Sequence, residues 1–140
     1  MGVPAEPEHA GAGQIPGASR LRAEICSRSG EPYLVTVTPQ AAPHCGTATV
    51  TLGAREAELT VVPVPRTWAG AAGFRRVSLV WPPAEPGGYS LIVDGTGTCG
   101  PAGDGLALTV TVTRAVLHRR GPAPADGSSP CGSDCLTLIG

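Results

Sequence analysis

Apolar and polar residues alternate most regularly between Arg76 and Thr113. Val77, Leu79 and Trp81 form one apolar set, and Tyr89, Leu91 and Val93 a second. Leu106, Leu108, Val110 and Val112 form a third. A strand turns successive side chains to opposite faces, so each set falls on one side of a sheet. The stretches PPAEPGG and GTGTCGPAGDG between the sets read as turns. Further upstream, Leu21, Ala23 and Ile25 alternate with Arg20, Arg22 and Glu24, which predicts a half-buried first strand. Tyr33 to Thr38 (YLVTVT) predicts a second, ended by Pro39, and Thr47 to Leu52 a third with Ala48, Val50 and Leu52 inward. Glu58 to Val64 predicts a fourth, placed at a sheet edge or ended early because Pro63 and Pro65 remove ladder donors. Arg66 to Gly73, with Trp68, reads as a loop, and Phe74 leads back into the alternating run.

Seven short strands at spacings of about 8–14 residues predict an all-β fold, a single seven-stranded antiparallel immunoglobulin-like β-sandwich. The predicted organisation is a disordered N-terminal tail over 1–18, a sandwich over 19–118 and a flexible, Cys-containing C-terminal tail over 119–140. The tail ends in the apolar run Leu136 to Ile139, which a free tail does not need. A chain of 140 residues fits one domain. Its 20 Gly and 15 Pro are assigned to turns and tails, because the middle of the chain keeps its periodicity.

Composition narrows the chemistry. A net charge of −1 argues against a nucleic-acid footprint or a polybasic membrane patch. No apolar run approaches the ~18 residues of a membrane-spanning helix. The sequence has no lysine and no asparagine. It therefore lacks a Schiff-base lysine, a Walker-A lysine and an N-x-Ser/Thr glycosylation site. The start MGVPAEPEHAGAGQIPG has neither the basic nor the apolar region of a secretory signal. The expected location is cytoplasmic, or secreted if the chain is a processed fragment. Glu6 stands where a myristoylation motif takes Ser or Thr, so Gly2 is not read as a lipid site.

No motif assembles into a catalytic, cofactor or metal site, so the expectation is a protein that is not an enzyme and holds no cofactor. Gly95 to Gly100 matches G-x-G-x-x-G after a strand, but Pro101-Ala-Gly-Asp-Gly follows where a dinucleotide site needs a helix. The match is read as a hairpin loop. The thiols Cys26, Cys45, Cys99, Cys131 and Cys135 include no C-x-x-C pair. They are candidates for one disulfide in an oxidising compartment or for reactive thiols in a reducing one. His44 adjoins Cys45, but neighbours in an extended segment point apart. Glu56 and Glu58 would share one face of a strand and read as a solvated edge. Arg75-Arg76 and Arg119-Arg120 are too few for nucleic-acid binding and read as solubilising surface.

The run PPAEPGGYSLIVDGTG resembles the end of many immunoglobulin-like domains of the filamin, fibronectin III and macroglobulin types. In order, YLVTV, RRVSLVWPP, GYSLIVDGTG and LTVTV are similar to the first macroglobulin-like domain of the alpha-2-macroglobulin family, over about residues 31–113. The resemblance implies an isolated module without thioester or bait region. The function expected is a non-catalytic protein–protein interaction module. Its partner strand would add at an edge formed by Glu58, Leu59, Thr60, Val61 and Val62, or near Tyr33 to Thr38. The alternatives are a secreted or cell-surface module with a disulfide, and an accessory domain of an enzyme using Cys45 or the Gly95 to Gly105 loop. The partner expected is another protein, with no nucleic acid and no membrane insertion.

Overall fold

In a computed structural model of the chain, the described residues are 15–37, 40–64, 76–102, 105–121 and 133–140. They form a helix, α1 (Ala18–Cys26), then strands β1 (Tyr33–Val37), β2 (Pro43–Leu52), β3 (Glu58–Val64) and β4 (Arg76–Trp81). These are followed by β5 (Ser90–Ala102), β6 (Gly105–Arg120) and β7 (Ser133–Ile139). The strand order is β3-β2-β1-β4-β5-β6-β7, and β3 also pairs with β6. Glu58 to Val61 lie opposite Thr111 to Leu108. The Val112 N–H extends that seam by donating to the Ala57 carbonyl at 2.8 Å. The pairing closes β1 to β6 into a six-stranded antiparallel barrel, and β7 is an extra strand on the later half of β6.

This corrects the expected immunoglobulin-like sandwich of two sheets. It also overturns the likeness to filamin, fibronectin III and macroglobulin modules, which rests on that architecture. The physical reason is that alternation reports one buried face and is silent on which strands meet. Closure comes from long strands that change partners along their length. β2 pairs with β1 through Pro43 to Thr47 and with β3 through Thr47 to Leu52. β6 gives Leu108 to Thr111 to β3 and Ala115 to Arg120 to β7.

The G-x-G-x-x-G stretch is not a hairpin loop but part of β5. Cys99 lies opposite Leu108 and Ala102 opposite Gly105. The register slips between Asp94 and Gly95, a β-bulge that bends the strand as a barrel requires. A Cβ on Gly95 would stand 2.5 Å from the Thr111 carbonyl oxygen, so the close approach of β5 to β6 depends on this glycine.

The first predicted strand is a helix. Ala18, Leu21 and Ile25 are buried and Ala23 is exposed, a spacing of three and four that marks one helical stripe. Ala, Leu, Arg and Glu are good helix formers, and a short window let an accidental alternation compete with them. α1 packs its stripe into the same core as the barrel interior, with Leu34, Leu79, Leu91 and Leu117. Arg22 donates to the carbonyls of Gly53 and Arg55 at 3.4 and 3.0 Å, and Arg28 to those of Pro82 and Tyr89 at 3.2 and 3.0 Å. The helix is thereby fastened to the loops at one end of the barrel.

The predicted tails are corrected in part. Ala18 is a buried helix residue, β6 continues to Arg120, and Ser133 to Ile139 form β7. The expected disorder over 1–14, the loop with Trp68, and Thr38, Pro39, Phe74, Arg75 and Cys131 lie outside the described residues.

Candidate functional site

β7 reads SDCLTLI, and alternation divides it between two faces. Leu136 lies opposite Leu117, and Asp134 opposite Arg119, on the side that α1 covers. Cys135 lies opposite His118 and Thr137 opposite Val116, on the outer side. The register slips again between Ala115 and Val116, so that Leu138 bulges. Leu138 and Ile139 are both buried.

A polar clasp holds the start of the strand. The Tyr89 hydroxyl donates to Asp134 Oδ2 at 2.8 Å, and Arg119 Nε donates to the same oxygen at 2.9 Å. Arg119 Nη2 stands 2.8 Å from that oxygen, and the guanidinium carbon lies 4.4 Å from the centre of the Tyr89 ring. The planar guanidinium thus serves an ion pair and a cation–π stack at once. The Tyr89 hydrogen bond, followed by that from Arg119, holds the Asp134 carboxyl below its ordinary value of 3.8. The same hydrogen bond to Asp134, followed by desolvation, raises the Tyr89 hydroxyl above 10.0. Behind the clasp, α1 and the 84–88 loop bound a cleft of about 440 Å³ whose walls include Arg20, Glu24, Arg28 and Glu85.

Most residues of the strand edges expected from sequence have neighbours on both sides, and Val62 has one, in β2. Leu59, Thr60 and Val61 have neighbours on both sides in β2 and β6. Glu58 lies opposite Thr111, its carbonyl accepts the Gly53 N–H at 2.8 Å, and Val62 lies opposite Thr49. Tyr33 to Thr36 are flanked by β2 and β4. Pro63 turns a buried side chain inward next to Ala48, in the part of β3 that lies beyond the pairing with β6. Among the described strands, β7 has one neighbour, β6, while Val62 to Val64 of β3 and Gly97 to Ala102 of β5 are likewise paired with one described strand each.

The remaining candidates do not converge. Cys26 ends α1, Cys45 is exposed on β2, Cys99 is half-buried on β5 and Cys135 is exposed on β7; these four are thiols and not disulfides. The carboxylate of Glu56 accepts the Ile15 N–H at 2.7 Å, and that of Glu58 accepts the Ala54 N–H at 3.2 Å, so both bind backbone. Among the described residues no three His, Cys, Asp or Glu gather as a metal site. A second exposed apolar area lies on the outer face of β1 to β3, where Tyr33, Val37 and Val64 are exposed. Sequence reasoning missed the clasp. Its only local signal was that Asp134, Leu136 and Leu138 alternate, a pattern too short to stand out beside the Pro/Gly-rich residues before it.

No family model matches the chain, and no solved structure matches it. Two curated relatives, described as uncharacterized proteins of Mycobacterium bovis and Mycobacterium tuberculosis, are each 40% identical to it over 77 residues. The match covers 52% of this chain and 54% of each relative, so the chain spans about half the length of the curated relatives it matches.

Proposed function

We propose that this barrel is a non-catalytic protein-interaction module that recognises its partner by strand addition at the edge of β7. The observation that carries the reading is that β7 stands at the end of the strand order, outside the barrel closure, with β6 as its one neighbour among the described strands. A closed barrel removes strand edges, and a strand left outside the closure restores a row of backbone donors and acceptors. Such a row binds an extended segment through main-chain hydrogen bonds, with flanking side chains giving specificity. The Asp134 clasp and the buried Leu138 and Ile139 hold β7 in place, so that a partner meets a fixed template.

The test is a photo-crosslinking amino acid placed at exposed Thr137 of the chain in its native host, with the same amino acid at exposed Thr109 of β6 as comparison. Strand addition at β7 predicts a crosslinked protein from position 137 and none from position 109. Equal capture from both positions, or none from 137, removes the reading.

A further inference from the structure

We infer that the cleft between α1 and the 84–88 loop is a binding site for a carboxylate, held on the guanidinium of Arg28. The Arg28 side chain lines this cleft and is 9% exposed, so it belongs to the wall and does not wave in solvent. Its Nη1 donates to the carbonyls of Pro82 and Tyr89 at 3.2 and 3.0 Å, which fixes the plane of the group. Among the described residues its buried Nε has no hydrogen-bond partner. Nη2 meets the Glu24 carboxylate, at 3.5 Å. A buried N–H without an acceptor costs free energy that a bound acceptor restores.

In a guanidinium, the Nε–H and the neighbouring Nη2–H point the same way and form the fork that takes a carboxylate through two parallel bonds. That edge of Arg28 turns toward Glu24, a wall residue of this cleft. A smaller cleft of about 240 Å³ also touches Arg28 but does not include Glu24, so the fork serves the larger one. Glu24 is 27% exposed and stands beyond the about 2.7–2.9 Å of a charge-assisted hydrogen bond. It covers the fork as a weak competitor, and an incoming carboxylate displaces it.

The rest of the cleft selects a small or chain-terminal carboxylate over a polyanion. Arg20, one helical turn before Glu24, lines the same wall and has no hydrogen bond or ion pair among the described residues. It supplies a second cation for the bound acid. Arg119 is taken by Asp134, so Arg20 and Arg28 face two carboxylates, Glu24 and Glu85. A cleft neutral in sum recognises an anion by the geometry of its fork and does not gather highly charged chains. Pro86, Tyr89 and Leu117 add apolar wall for the carbon body that carries the acid. A volume of about 440 Å³ suits a small acid or the last residues of a peptide.

The test titrates the purified, isotope-labelled full chain with succinate and with an acetylated alanine tetrapeptide, each compared with its amide. NMR follows the Arg28 Nε–H signal and the backbone amides of Gly87 and Gly88. The expected result is a saturable shift with one or both acids and none with the amides. A response to succinate alone assigns a free acid, and a response to the peptide alone assigns a chain end. Arg20→Gln, at an exposed position outside the core, is expected to weaken binding by about tenfold or more. Glu24→Gln removes the competitor and is expected to tighten it. Arg28→Lys keeps the charge, loses the fork, and is expected to abolish the response of Gly87 and Gly88; if it does not fold, the other two variants decide. No saturable response to either acid, or an equal response to the amides, overturns the inference. So does wild-type affinity in Arg20→Gln or in folded Arg28→Lys, or binding by Glu24→Gln that is no tighter.

Discussion

Gly17 precedes α1 with φ 84° and ψ −10°, a left-handed conformation in which a side chain costs about 1–2 kcal/mol. Gly30 also has positive φ, at 111°, but a Cβ there meets nothing within 4 Å. Gly30→Ala is therefore expected to cost only the backbone term, whereas Gly17→Ala adds a collision with the Leu138 backbone and costs more in urea unfolding. Asp134 gives a pH-dependent counterpart. Its carboxyl lies below the ordinary 3.8, so the ionised clasp adds stability above that value and loses it as pH falls through the lowered one. Acid unfolding of Asp134→Asn is expected to show a deficit at neutral pH that shrinks below about 3.8. A deficit independent of pH would mean that packing, and not charge, holds the strand. At the alkaline end the Tyr89 hydroxyl, raised above 10.0, contributes below that value and loses its contribution as pH rises through the higher one.

α1 shows how much of an element is legible locally. Alternation at Leu21, Ala23 and Ile25 fits a strand, and the spacing of Ala18, Leu21 and Ile25 fits a helix; three residues satisfy either period. Burial decides between them, and burial depends on a barrel end that the segment itself does not encode. Leu21→Ala is expected to cost about 2–5 kcal/mol as a core truncation. Exposed Ala23→Pro is expected to cost about 3 kcal/mol, because it interrupts the helix. A negligible loss at Ala23 in chemical denaturation would contradict the helix. β3 and β4 are legible to the residue, since each is short, alternating and bounded. β5 and β6 look shorter in sequence than they are, because Gly95, Gly97 and Gly100 resemble a loop when their role in coiling the strand is unseen. β7 is hidden for the opposite reason: its few alternating residues acquire meaning only beside Leu117 and Arg119.

For the whole molecule, the decisive fact is the seam between β3 and β6, which joins residues about fifty apart in sequence and has no local signature. The candidate site follows from it, because the seam covers Glu58 to Val61 of β3 and leaves β7 at the end of the described strand order. Val61 tests the seam, being fully buried and placed between Val50 of β2 and Leu108 of β6. A proline at a strand edge removes a donor that solvent satisfies, whereas in a strand flanked on both sides it breaks a ladder and crowds its neighbours. Val61→Pro is therefore expected to destabilise the barrel by about 3 kcal/mol or more, with far-UV dichroism and Trp fluorescence lost together in one transition. If the variant keeps wild-type stability, β3 is an edge and the barrel is open. If it unfolds cooperatively, the closed sheet behaves as one unit, and loss of binding by this variant reports loss of fold.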